Sequence, residues 1–114
     1  MCLFCDIVSG KVPGQKIYED DLVYSFEDKY PQAKKHILIV PKKHIESLDT
    51  IEDKDMEIIA HIFRVAKKIA SMQDISKSGF RTVFNCNSEG AQSVYHLHLH
   101  MMGGEQLGIN MSGL

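Results

Sequence analysis

The chain has 114 residues, with 13 basic and 15 acidic side chains, a formal net charge of −2 and a pI near 6.3. That length suits a single domain, residues 1–114, able to bury a modest core without disulfide staples. The balanced charge gives no general attraction to nucleic acid or anionic membrane, and no apolar run is long enough to span a bilayer.

The sequence shows neither a signal peptide nor a lipidation motif. Three cysteines, two of them the close pair Cys2 and Cys5, do not form a secreted disulfide framework. They suit a reducing compartment, where a C-x-x-C pair binds metal or does redox work. The expected address is cytoplasmic, or nuclear as well in a eukaryote.

In chain order, the amphipathic stretch Cys2 to Gly10 predicts a short helix ended by glycine. Pro13-Gly14 marks a turn. Lys16–Glu19 and Leu22–Glu27 alternate apolar with polar and predict a hairpin joined at Glu19-Asp20-Asp21. After a polar loop from Asp28 to Lys35, His36-Ile37-Leu38-Ile39-Val40 is almost wholly apolar, which predicts a central strand buried on both sides and stopped by Pro41. Thr50 is a suitable N-cap for a helix running to about Gln73, with Glu52, Asp53 and Asp55 in its first turn. Its apolar residues Met56, Ile59, Phe63, Ala66 and Ala70, widened by Ile58, Ile62, Val65, Ile69 and Met72, need cover on two sides, from the sheet and from a second subunit. Gly79–Asn85 predicts another strand, and Cys86–Ala91 a loop. From Gly103 to Leu114 no regular element is expected. Strands around one long helix make an α+β domain.

The stretch Gln92 to Met102 holds three histidines at alternate positions, separated by Leu97, Leu99 and Met101. Alternation is the strand period, and same-face neighbours lie about 6.5–7 Å apart. His96, His98 and His100 would therefore line one face, able to serve as nucleophile, proton carrier or metal ligand near neutral pH. The competing reading is a solvated strand face, for which lysine or threonine would do as well. His36 also has a plain reading, as a polar residue opening a buried strand. Lys34, Lys35, Lys42 and Lys43 read as a solvated loop face rather than a phosphate cradle.

Taken together, Cys2–Gly10, Phe26–His44 with Pro41-Lys42-Lys43-His44-Ile45, and Gln92–His100 followed by Met101-Met102-Gly103-Gly104 resemble the histidine triad (HIT) family, in particular its Hint branch of nucleoside phosphoramidate hydrolases. The resemblance implies a HIT-like fold: a five-stranded antiparallel sheet, one long helix, a short N-terminal helix and a homodimer. It also implies a purine nucleotide site beside the histidines. There His98 would be the nucleophile, with His36, His96 and His100 as the other site histidines. Asn85 and Ser93 would bond phosphate or leaving group, and Asp28 the ribose hydroxyls. Gln92 and Val94 lie in the same motif and are counted with the nucleotide-binding residues. So is Lys29, where the branch is usually apolar. A second departure is the tail, where Gly108–Leu114 replaces the Trp-Pro-Pro-Gly ending that helps shape the leaving-group side of the partner's site.

The family's reaction has a physical logic. A phosphorus bearing charged oxygens repels anions, so a neutral imidazole is a sensible attacker, and a nucleotidyl-histidine intermediate divides one hard step into two. The other ring nitrogen must keep its proton, held by an acceptor such as a backbone carbonyl. The amine leaves only if it gains a proton, for which Ser93, Gln92 and a protonated His100 are the candidates. Cys2 and Cys5 have zinc-knuckle spacing, and His44 with His96 would complete a Cys₂His₂ site similar to the structural zinc of some HIT proteins. Such a site would tie the N-terminus to the histidine segment; the competing reading is two small buried thiols. Cys86 has no partner in sequence. The function implied is hydrolysis of purine nucleoside 5′-phosphoramidates. The alternatives are a dinucleoside polyphosphate hydrolase or nucleotidyltransferase of the same family, and a nucleotide-responsive protein-binding module with little catalysis.

Overall fold

The computed structural model describes residues 2–109. Helix α1 (Leu3–Ser9) starts at Cys2, whose sulfur accepts the Cys5 N–H at 3.3 Å. It ends at Gly10 with φ +86°, a left-handed turn that glycine adopts without strain. Strands β1 (Lys16–Glu19) and β2 (Val23–Glu27) are joined by Asp20, whose carboxylate accepts the N–H groups of Leu22 and Val23 at 2.9 Å each. Strand β3 (Lys35–Pro41) is followed by helix α2 (Met56–Met72), then β4 (Phe80–Phe84) and β5 (Leu99–Gly103). The sheet is antiparallel with order β1-β2-β3-β5-β4.

Central β3 sends alternate residues to opposite faces. Ile37 and Ile39, with Val23, Leu99 and Met101, pack under Ile62, Val65, Ala66, Ile69 and Ala70 of α2. Leu38 and Val40, with Phe26, pack under Phe4 and Ile7 of α1. Eleven residues form the first cluster and five the second. A buried large aliphatic contributes about 1.5–3 kcal/mol, so the α2 side carries most of the hydrophobic stability. That frees the α1 side to hold polar side chains.

Several expectations change. The segment around Thr50 forms a separate turn: the Thr50 hydroxyl accepts the Ser47 N–H at 3.2 Å, and the Ser47 hydroxyl accepts the Asp49 and Thr50 N–H groups. Thr50 is thus spent before the helix begins, and α2 starts at Met56 after a single 3₁₀ turn, Asp53–Asp55. Within one chain the sheet covers one side of α2. Met56, Phe63 and Met72 remain exposed. The histidine strand is shorter, beginning at Leu99. The Leu97 N–H leaves the ladder for Ile45 O at 2.7 Å, so His96 and His98 sit on an irregular approach to the sheet. Gly103 closes β5 rather than opening the tail. Beyond it, Glu105 accepts the Lys34 N–H at 2.7 Å, and Arg81 donates to Gly108 O. The C-terminal residues 110–114 of the expected divergent tail lie outside the described residues.

Candidate active site and metal centre

Five of the six histidines gather on the α1 side, in two groups. The first is built on His36 and His100, at adjoining positions of β3 and β5 (His36 pairs with Met102 and Leu38 with His100). His98 joins it, its ring centroid 4.9 Å from that of His100. The second gathers Cys2 and Cys5 from α1, His44 from the chain after β3, and His96.

Backbone groups fix which ring nitrogen is bare. The Nδ1 of His98 is 2.8 Å from His96 O. A carbonyl only accepts, so Nδ1 carries the proton and Nε2 of the neutral ring keeps its lone pair. In His96 the order is reversed: Nε2–H donates to Pro41 O at 2.7 Å, which leaves Nδ1 bare. The Gln32 N–H donates to His36 Nδ1 at 2.9 Å, so His36 Nε2–H in turn donates to His100 Nδ1 at 2.9 Å. His100 is thereby left with Nε2–H as an outward donor. Asp28 lies beside this chain, with Oδ2 3.4 Å from His36 Nε2 and Oδ1 accepting the Tyr30 N–H at 2.8 Å.

Burial disfavours the imidazolium and lowers the pKa of His36, His96 and His98 below the ordinary 6.5. Asp28 opposes this at His36 and, after the carbonyl of His96, at His98, without reversing it. His100 falls to about 4, through burial first and then the neighbouring His98 and His36. His36, His96, His98 and His100 are therefore neutral at pH 7.

Among the described residues, two sets of side chains have donor atoms all within 4.8 Å of one another: Cys2, Cys5, His44 and His96, and Asp28, His36 and His100. The tautomers separate them. In the second set His36 Nε2 is an N–H and His100 Nδ1 is engaged, so both nitrogens are used. In the first set His96 Nδ1 is bare and stands 3.2 Å from Cys2 Sγ, 3.4 Å from Cys5 Sγ and 3.2 Å from His44 Nδ1. Tetrahedral zinc with ordinary bond lengths would set nitrogens about 3.3 Å apart and sulfur about 3.6 Å from nitrogen. Those three separations, and the 3.4 Å from Cys5 Sγ to His44 Nδ1, lie within a few tenths of an ångström of these values, so the donor set fits such an ion.

The remaining sequence-derived residues are placed as follows. Ser93 is exposed. The Gln92 amide is fully engaged, accepting the Asn87 N–H at 2.9 Å and donating to Glu46 O and Val94 O at 2.7 and 3.1 Å. Both of its N–H groups are used, so it braces the loop and has no proton to offer a leaving group. Asn85 donates to Gly90 O at 2.7 Å, closing the same loop. Val94 packs against the Phe4 cluster. Lys29 is exposed, its ammonium 5.7 Å from the Tyr30 ring centroid. Sequence reasoning missed three participants: the Gln32 N–H, the Pro41 carbonyl and Phe4. Two are backbone groups without a side-chain signature, and Phe4 reads only as core.

Residues 1–111 match the family described as "Scavenger mRNA decapping enzyme C-term binding". The chain is 38% identical to the purine nucleoside phosphoramidase of Escherichia coli K12 over 106 residues, covering 93% of this chain and 89% of that one. Among solved structures, a HIT family hydrolase from Legionella pneumophila superposes with a TM-score of 0.93 at 46% identity, covering 96% of this chain and 97% of that one. A histidine triad protein from Clostridium difficile gives 0.94 at 47% identity, covering 96% of each chain.

Proposed function

Because the chain belongs to the histidine triad family of hydrolases, we propose that it cleaves purine nucleoside 5′-phosphoramidates to a nucleoside monophosphate and an amine, with His98 as nucleophile. The observation that carries this reading is the 2.8 Å bond from His98 Nδ1–H to His96 O, which bares Nε2 on a neutral, buried ring. In the first step Nε2 bonds to phosphorus, the P–N bond breaks and its electron pair stays on nitrogen, which takes a proton. In the second, water attacks phosphorus and gives up a proton to solvent as the P–N bond to His98 breaks, restoring the neutral imidazole.

His100 Nε2–H, aimed by the chain Gln32–His36–His100, donates to a phosphoryl oxygen whose charge grows in the transition state. With a pKa of about 4 it is not the leaving-group acid at pH 7. With the Gln92 donors spent, Ser93 relays the proton from solvent. Asp28 holds the ribose and Lys29 and Val94 flank the nucleoside. Asn85 supports the phosphate loop.

The Cys2, Cys5, His44 and His96 set would hold a structural zinc ion, supplying a fixed tetrahedral link between α1 and the histidine segment. Cysteines kept out of disulfides in this way accord with a cytoplasmic address. The exposed Phe63 on α2 and Phe80 on edge strand β4 suit a second copy of the chain, giving a homodimer. Among the described residues no helix is long and apolar enough to cross a membrane.

The decapping match favours a second reading, cleavage of a phosphoanhydride as in a dinucleoside polyphosphate. A phosphate leaves as a stable anion and needs no proton, so Ser93 decides between them. A panel of adenosine phosphoramidate, diadenosine polyphosphate and ADP is expected to favour the first. Loss in Ser93→Ala is expected for the amine substrate only. Preference for the polyphosphate would overturn the primary reading, and tight AMP binding with no turnover on any substrate would make the chain a nucleotide-responsive binding module.

A further inference from the structure

Between the two thiols of the metal set, in sequence, stands Phe4. Cys2 and Cys5 flank it on α1, and its ring meets His98 at a centroid distance of 5.0 Å and an interplanar angle of 84°. The same ring lies 6.0 Å from His96 and 5.4 Å from Phe26, and Phe4 is buried. His98 is thus held on two sides by groups that belong to the metal set or adjoin it. His96 O takes its Nδ1–H, and Phe4 walls its ring.

These contacts share one mechanical origin. His96 is wholly buried, and its ring position fixes its own backbone carbonyl through a single residue. Its Nε2–H is clipped to Pro41 O, and the next residue, Leu97, is clipped to Ile45 O beside His44. The free end of this assembly is α1, a 7-residue helix. A helix so short is marginal alone, so its placement depends on what its side chains grip. One grip is the small cluster of Phe4, Ile7, Phe26, Leu38 and Val40. The other is the pair of sulfurs facing His44 and His96.

We propose that Phe4 is a positioning residue for His98, and that metal bound by Cys2, Cys5, His44 and His96 sets that position by seating α1 and the His96 carbonyl together. Without the metal, the sulfur grip on α1 is three weak S···N contacts; with it, the helix is fixed on either side of Phe4 in sequence. The metal then acts on the nucleophile's orientation and takes no part in the bonds made or broken. This inference rests on the reading of His98 as nucleophile and of the Cys₂His₂ set as a zinc site.

The test is spectroscopic. Histidine-¹⁵N-labelled protein is compared zinc-loaded, chelator-stripped, and zinc-loaded as Phe4→Leu, following the His98 Nδ1–H signal and its exchange with water. The zinc-loaded wild type should show one tautomer with a protected Nδ1–H. Stripping the metal, and separately Phe4→Leu, should each speed that exchange by about tenfold or more, and Phe4→Leu should lower kcat about tenfold with zinc affinity retained. Equal His98 exchange in zinc-loaded and stripped folded protein, or failure to bind stoichiometric zinc, overturns the metal link. Unchanged exchange in Phe4→Leu overturns the role of Phe4, and that arm decides even if the stripped chain unfolds. Adduct trapping on the zinc-loaded wild type stands apart: no His98 adduct there, with the exchange changes intact, overturns the nucleophile assignment and leaves the coupling standing.

Discussion

His96 and His98 are two residues apart, both buried and both bonded to a backbone carbonyl, yet they face different chemistries. His96 gives its Nε2–H to Pro41 O and presents Nδ1 to two sulfurs and a second imidazole. His98 gives its Nδ1–H to His96 O and presents Nε2 without a protein partner among the described hydrogen bonds. In the proposed reading, the same residue type serves as metal ligand or as nucleophile according to which nitrogen the carbonyl takes. A ring's role is set by the atom it cannot use.

The largest effect should come from breaking the nucleophilic half alone. His98→Ala should lower phosphoramidate turnover by about 10⁴-fold or more, the scale seen when an attacking group is removed. Zinc content by metal analysis should not change. Loss of zinc along with activity would mean the two groups are one site.

The reverse cut is smaller. Cys5→Ser should weaken zinc affinity, read by competition with a chromogenic chelator, and reduce kcat by about ten- to a hundredfold through support of the neighbouring ring. If kcat stays at the wild-type value while zinc is lost, the groups are independent.

Acid probes both groups together. His36, His96, His98 and His100 have lowered folded pKa values, so between 6.5 and those values the unfolded chain binds more protons than the folded one. Stability should therefore be full above pH 6.5 and decline as pH falls, with the His100 contribution exhausted near pH 4. The acid limb of kcat/KM should lie below pH 6.5, because a neutral His98 persists there. Denaturant melts and pH–rate profiles check the two statements; a limb above 6.5 would point to a different titrating group.

The sixth histidine supplies the control. His61 Nε2 bonds Asp20 Oδ2 at 2.7 Å, tying α2 to the β1–β2 turn. Burial opposes ionisation of Asp20, but His61, the Leu22 and Val23 N–H groups and Tyr18 together hold its carboxyl down to about 2. His61→Ala should cost about 1 kcal/mol of stability, a typical value for a partly exposed pair, and alter neither zinc content nor turnover. A change in either would mean that α2 communicates with the site.

Much of this was legible in the chain. The nearly continuous apolar run His36–Val40 reveals a strand buried on both faces, and it is the central one. The turn chemistry of Asp20 and Gly10 is local, so sequence suffices to place it. The start of α2 was not legible, because Thr50 carries the same cap chemistry whether it caps a helix or closes a turn on Ser47. Nor was the end of the histidine strand, since it depends on Leu97 finding Ile45 rather than β3.

By itself the sequence determined which side chains are available: alternating imidazoles, a close thiol pair, an apolar strand and an amphipathic helix. These follow from residue type and spacing, which are properties of the chain alone. Only the tertiary structure decided the division of bare and protonated nitrogens among the histidines. That division depends on carbonyl and N–H groups of Gln32, Pro41 and His96, which every residue carries and which become specific only when distant segments are brought within hydrogen-bonding distance.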